Sequence, residues 1–308
     1  MVGVLSIRLS LGLAQRPPHG IHLERPVPEL PEVETVRRGL NRVTLNQPIL
    51  GGEVRLARIV AHPPCADAFW AGLRQAHLVE WHRRGKYLLG QLADTADQPA
   101  GHLGVHLRMT GQLLWVDPTE PVQPHCRVRI FLAGNRELRY VDQRTFGRLW
   151  WVPPGQDPAS VMTGLQALGP EPFEEAFSPT YLKERLARSH RPIKNALLDQ
   201  ALVAGIGNIY ADEALFLSGL CPTTLAHRIG PSRLKKLHQA IRNVLTTSIE
   251  SGGTTFSDYR DIYGTNGNYG GVAWVYDREG QPCRMCQTPI QRTKLAGRSA
   301  HYCPQCQR

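Results

Sequence analysis

Apolar positions along the chain change their period twice. From Pro28 onward Val33, Val36 and Leu40 fall at helical spacing, Pro31 suits a first helical position, and Glu32 and Glu34 sit in the first turn. A helix is therefore expected to start three residues after Pro28. Between residues 50 and 152 the period shortens to alternation, with short apolar runs at Val54 to Val60, His77 to Leu92 around Arg84-Gly85, and Leu103 to Val116. Arg127 to Leu132, the turn Ala133-Gly134-Asn135 and Glu137 to Val141 make the clearest hairpin, and the region reads as an antiparallel sandwich. Beyond Pro153-Pro154-Gly155 the helical period returns. Ser178-Pro179 is a cap and first position before Tyr181, Leu182 and Leu186, and Leu234, Leu237, Ile241 and Leu245 are closed by Gly252-Gly253.

This pattern predicts an α+β multidomain chain. Residues 1–27 have no sustained period, hold three prolines and carry Glu24 as their only acid, which reads as a tail. Residues 28–155 form the β-sandwich with flanking helices, 156–276 a helical domain ending in a stretch rich in Gly, Asn and Tyr, and 277–308 a short cysteine module. A length of 308 residues exceeds one usual core and agrees with this division.

Charge narrows the class of partner. The formal charge of +10 suits a polyanion, although many soluble proteins are basic without binding one. Seven cysteines, four of them crowded into the last 26 residues, do not make a secreted disulfide framework. No apolar run approaches the roughly 18 to 20 residues of a membrane-spanning helix, so a soluble intracellular protein with no membrane partner is expected.

Cys283-x2-Cys286, sixteen residues, then Cys303-x2-Cys306 is the strongest local signal. Two such knuckles can place four thiolates around one structural Zn2+, a use favoured over redox pairs, and they leave no open position for catalysis. Arg292, Lys294 and Arg298 between the knuckles place basic side chains at a hairpin tip, where a phosphate contact is the natural use. Pro28-Glu29-Leu30-Pro31-Glu32-Val33-Glu34-Thr35 by itself reads as an ordinary helix start. Met109 and Phe146, read alone, are more often core residues.

Set beside known families, that Pro28 segment resembles the amino terminus of the formamidopyrimidine-DNA glycosylases (Fpg, or MutM), whose mature chains start at this proline. The resemblance spans nearly all of residues 28–308. It includes Arg83-Arg84-Gly85-Lys86-Tyr87, His106-Leu107-Arg108-Met109, Asp142-Gln143-Arg144-Thr145-Phe146-Gly147, Leu168-Gly169-Pro170-Glu171-Pro172, the run Gly205-Ile206-Gly207-Asn208-Ile209-Tyr210-Ala211-Asp212-Glu213, and the zinc module.

The resemblance implies a β-sandwich, a helix-two-turn-helix clamp and a zinc-finger hairpin, acting as a monomer on damaged double-stranded DNA in the cytoplasm, at the nucleoid. It implies excision of oxidised purines, 8-oxoguanine and formamidopyrimidines above all, and strand nicking by β,δ-elimination. A free prolyl amine at Pro28 can attack the anomeric carbon, expel the base and form an iminium. A helix N-terminus near Pro31 disfavours a cationic amine, while Glu29 and Glu32 favour one.

By the same resemblance Glu29 assists ring opening and base loss, with Glu32 as a supporting carboxylate. Lys86 supports elimination, and Arg298 grips the phosphate and serves the second elimination. Met109, Arg144 and Phe146 match the residues that fill the gap left by an everted base. Asn208 and Lys194 hold phosphates, aided by Arg185, Arg188, His190 and Arg191, and His125 matches a further DNA contact. Tyr259 to Gly271 resembles a lesion-capping loop.

Two departures stand out. The 27-residue extension makes Pro28 internal, where its nitrogen is an amide; a translation start at Val27 followed by trimming is expected, with later cleavage as the rival. Arg127 stands where relatives often carry a second histidine. An endonuclease VIII-like enzyme for oxidised pyrimidines and a non-catalytic lesion-binding protein with a blocked Pro28 are the alternatives.

Overall fold

The computed structural model describes residues 27–254 and 259–308. The expected tail therefore lies outside the described residues except for Val27, as does part of the Thr254 to Gly271 stretch.

Helix α1 (Leu30–Val43) begins one residue earlier than the prolines suggested, with Pro31 in its first turn. The Glu32 side chain accepts the Glu29 backbone N–H at 2.9 Å, so Glu29 is the cap, and the helix begins where that N–H is satisfied. Strand β1 (Ile49–Val54) and strand β2 (Val60–His62) follow, then helix α2 (Ala66–Leu73). Next come β3 (His77–Arg84), β4 (Tyr87–Ala93), β5 (Pro99–His106), β6 (Gly111–Val116), β7 (Cys126–Leu132), β8 (Arg136–Asp142) and β9 (Arg148–Val152).

The strands form two sheets, ordered β1-β7-β8-β6 and β2-β9-β5-β4-β3. Their inner faces share one core that includes Trp81, Val105, Leu113 and Val128. Among the described strands of these sheets the pairings are antiparallel except that β2 runs parallel to β9. The run Val54 to Val60 is broken by a 3-10 turn at Ala57–Ile59, where the chain passes from one sheet to the other. The run Leu103 to Val116 likewise splits at residues 107–110 into β5 and β6, which belong to different sheets.

The second half is helical: α3 (Pro158–Val161), α4 (Pro179–Leu186), α5 (Ile193–Leu197), α6 (Asn208–Ser218) and α7 (Pro231–Glu250). Ser178 caps α4 as expected, its hydroxyl accepting the Tyr181 N–H at 3.1 Å. Helix α1 belongs to both halves, because Leu30 joins the helical core while Val33, Val36 and Leu40 join the sandwich core. Strands β10 (Gln291–Leu295) and β11 (Arg298–Tyr302) make the terminal hairpin.

Helix α6 binds the parts together through its acids. Glu213 accepts the N–H groups of Trp274, Val275 and Tyr276, and Asp212 accepts the His301 N–H at 2.9 Å. No described helix is long and apolar enough to cross a membrane.

Candidate active site and nucleic-acid interface

A cleft of about 830 Å3 opens between the sandwich and the helical half. Glu29, Lys86, Met109 and Phe146 line it from one side, and Asn208 and Arg298 from the other. These six residues come from stretches remote in sequence and converge on one space that Val27 also lines.

Glu29 is fixed by the start of α6. Its carboxylate accepts N–H groups from Gly207 at 2.7 Å, Ile209 at 2.9 Å and Tyr210 at 3.4 Å, the free donors of a helix N-terminus. Burial nevertheless raises its pKa, against the opposing pull of Lys86 and those amides. Lys86 lies in the tight turn between β3 and β4, made possible by Gly85 at φ +56°, and its ammonium donates to the Ile206 carbonyl at 3.1 Å. Burial lowers its pKa, and Arg298 lowers it further, while Glu29 and Glu32 raise it. An acid held up and an amine held down face one another, the pattern of a general acid and base pair.

Glu32 is buried behind Glu29. Besides the Glu29 N–H it accepts the Tyr210 hydroxyl at 2.5 Å and the Thr254 N–H at 2.8 Å. Burial, then the charge of Glu29, raises its pKa to about 7, although Tyr210 and the two amides lower it.

The four cysteine sulfurs lie within 4.8 Å of one another. Cys286 is 3.4 Å from both Cys303 and Cys306, and Cys283 is 3.9 Å from Cys306. Four sulfurs at about 2.3 Å from one Zn2+ stand about 3.8 Å apart, so the set fits a structural zinc. The zinc would lock β10 and β11 against Phe216, Val275 and Ile290, and with them Arg298, one of the arginines that line the cleft.

Three family models cover the chain: the formamidopyrimidine-DNA glycosylase N-terminal domain over residues 27–149, the helix-two-turn-helix domain of the same glycosylase over 168–260, and the zinc finger found in Fpg and isoleucyl-tRNA synthetase over 280–308. The formamidopyrimidine-DNA glycosylase of Acaryochloris marina is 62% identical over 281 residues, covering 91% of this chain and 99% of the relative. The chain belongs to the formamidopyrimidine-DNA glycosylase family.

Solved structures agree. The MutM (Fpg) protein of Thermus thermophilus is 40% identical, with a TM-score of 0.80 over 91% of this chain and 98% of that one. A Lactococcus lactis Fpg mutant, solved in complex with DNA containing Fapy-dG, has 33% identity and a TM-score of 0.83 over 91% and 100% of the two chains.

Within this glycosylase framework the expected site residues fall into two groups. Arg144 does not line the cleft itself, but its guanidinium stands over the ring of Phe146, 5.0 Å from the centroid, and Phe146 is 50% exposed. Asn208 donates to the Ser299 hydroxyl at 3.2 Å, joining α6 to the zinc hairpin. His125, His190, Arg191 and Lys194 lie outside the cleft. His125 is exposed and its Nδ1 is 3.0 Å from the Arg127 guanidinium, which also donates to the Asp142 carbonyl. His190 is exposed beside His227, and Arg191 pairs with Asp199 at 3.0 Å.

Lys194 departs from the expected phosphate contact. Its ammonium is wholly buried, 2.7 Å from Asp212, and donates to the Ser299 carbonyl. Burial of a lone ammonium is costly enough that its partner must come with it, and here that partner sits on α6.

Tyr276 and His106 also line the cleft; the sequence assigns neither a role, although His106 opens one of the matched motifs. Tyr276 lines the floor and is nearly buried. His106 is buried against Tyr87, and its pKa is pushed down to about 3 by burial and by the neighbouring Arg108 and Lys86. The ring is therefore neutral; because Nδ1 accepts the Arg108 N–H at 3.0 Å, the proton sits on Nε2.

Proposed function

We propose that this chain removes oxidised purines from duplex DNA and nicks the strand, with the amine of Pro28 as nucleophile and the acting form beginning at that residue. The observation that carries this reading is the meeting of Glu29, Lys86 and Arg298 at one cleft that Val27 also lines, with Pro28 between Val27 and Glu29 in the chain. The family model that begins at residue 27 supports the same start. Related proteins were solved on DNA containing Fapy-dG, an abasic site and carbocyclic 8-oxo-G, which supports the lesion class.

The chemistry follows from these groups. The neutral amine attacks C1′ as the glycosidic bond breaks, and the bonding pair leaves with the base, which takes up a proton. Glu29, whose pKa is raised by its burial, supplies a proton to the sugar oxygen as the ring opens. The resulting iminium acidifies C2′; loss of that proton expels the 3′ phosphate, and a second elimination expels the 5′ phosphate. Lys86, held toward its neutral form, suits proton removal, and Arg298 steadies a phosphate as it departs. Hydrolysis of the iminium then returns the amine.

Met109, Arg144 and Phe146 fill the gap left by the everted base, and Asn208, His106 and Tyr276 hold the backbone around it. On this reading the enzyme works as a monomer in the cytoplasm, at the nucleoid, where duplex DNA is its substrate.

The test compares excision by protein starting at Pro28 on duplexes bearing 8-oxoguanine, formamidopyrimidine and oxidised pyrimidines. Faster release of the two purine lesions supports the reading. Preference for pyrimidines moves the chain to the endonuclease VIII-like class, and binding without release leaves a non-catalytic lesion binder.

A further inference from the structure

We infer that Thr110 and Asp142 are positioning residues that bind the two gap-filling loops into one preformed wedge. The inference rests on the reading of Met109, Arg144 and Phe146 given above.

At the cleft end of the sandwich the chain crosses between sheets twice. Residues 107–110 link β5 to β6 and carry Met109, while residues 143–147 link β8 to β9 and carry Arg144 and Phe146. The Thr110 hydroxyl donates to Asp142 Oδ1 at 2.5 Å and accepts the Arg144 N–H at 2.9 Å. The other carboxylate oxygen of Asp142 accepts the Gly147 N–H at 2.9 Å. One buried carboxylate and one hydroxyl thus tie the loop of Met109 to both ends of the loop of Phe146.

Shape reinforces the bonds. A β-carbon on Gly111 or Gly147 would lie 2.3 Å or 1.6 Å from the Tyr140 hydroxyl oxygen, so both loops close onto a single phenol ring. That hydroxyl is buried with no hydrogen-bond partner among the described residues, so sterics rather than polar pairing hold it there. Asp142 also donates its own N–H to the His125 carbonyl at 3.0 Å, drawing a third loop to the same point.

The arrangement solves a physical problem. Phe146 is half exposed and Met109 only partly covered, so their own burial does not order them. A wedge ordered only on entering the stack would lose rotamer and backbone freedom at that moment, and ordering it beforehand removes that cost from the step that evicts the base. Thr110 uses its hydroxyl in both directions, as donor and as acceptor. Valine, of the same shape, can do neither, and serine can do both.

The test uses the full enzyme starting at Pro28, with Thr110→Val and Thr110→Ser beside the wild type. Three readouts are taken: excision of 8-oxoguanine from duplex DNA at saturating enzyme, the fluorescence of a 2-aminopurine next to the lesion, and cleavage of a single-stranded abasic site, which needs no eviction. Thr110→Val is expected to lose roughly tenfold or more of duplex excision, the size expected for a lost charge-assisted bond, and to blunt the fluorescence change. Its single-strand cleavage should stay intact, and Thr110→Ser should recover both duplex readouts. Wild-type excision from duplex by Thr110→Val overturns the inference, and so does an equal loss on single strands, which marks a general structural defect. Absence of excision by the wild type itself overturns the reading of function instead.

Discussion

The Glu29 carboxylate accepts the Gly207 N–H at 2.7 Å, and a β-carbon added to Gly207 would stand 2.3 Å from the carboxyl carbon of Glu29. The close approach of this carboxylate to backbone is what the glycine permits. Gly207→Ala is therefore expected to push Glu29 out of the mouth of α6 and lower base excision by about a hundredfold, the scale on which misplacements of about 1 Å act. Single-turnover excision on 8-oxoguanine DNA measures it, and near-normal rates in a folded variant would show that Glu29 needs no such fixing.

Glu32 gives a pH signature. Its pKa in the fold, about 7, lies above its ordinary value of 4.5, so between those two values the folded chain holds a proton that the unfolded chain has released. This group's contribution to stability is largest at acid pH and declines as pH rises through the window to about 7. A Glu32→Gln variant should lack that part of the slope in thermal midpoints taken across the window. Identical slopes in both proteins would contradict the burial argument.

Tyr210 should move the same titration. Glu29, Lys86, Tyr210, Tyr259 and Tyr269 are the ionisable groups whose interactions reach Glu32, and the Tyr210 hydroxyl favours its ionised form. Tyr210→Phe removes that donor, so the acidic limb of the excision rate should shift to higher pH. A limb that stays in place or moves down would separate Glu32 from catalysis.

Lys194 distinguishes a structural ion pair from a DNA contact. Asp212→Asn leaves a buried ammonium without its charge partner, and a loss of about 3 to 5 kcal/mol is expected in denaturant unfolding. Lys194→Met should lower stability while leaving the salt dependence of DNA binding almost unchanged. A fall in the slope of log K against log salt by about one unit would instead make Lys194 a phosphate contact.

Zinc removal should act at a distance. Because Asp212 and Lys194 bond to His301 and Ser299 on β11, unfolding the cysteine module withdraws partners from buried charges on α5 and α6. Chelation is expected to abolish DNA binding and lower the thermal midpoint together, and Cys303→Ser should reproduce both losses. A chelated protein that keeps its midpoint would confine the metal to the hairpin.

What could be read from sequence depended on whether the signal was local. Val33, Val36 and Leu40 declared α1 because one face of it is buried, and the cysteine knuckles declared themselves by spacing. The breaks inside Val54 to Val60 and Leu103 to Val116 were hidden, because alternation looks the same on either sheet and says nothing of where the chain changes sheet. Lys194 reads by resemblance as a phosphate contact, and the sequence does not show its burial because Asp212, its partner, lies on another helix. His106 opens a matched motif but shows no role of its own there, since it ends a strand, and Tyr276 follows Val275 in an apolar stretch. Their place in the cleft exists only in three dimensions.

The most direct test of the central claim is to trap the enzyme on 8-oxoguanine DNA with borohydride, digest the adduct and locate the modified amine by mass spectrometry. The account predicts a single adduct on the α-nitrogen of Pro28 in a chain that starts at that residue. An adduct on Lys86 or another lysine, or full-length protein with no adduct at all, would contradict it.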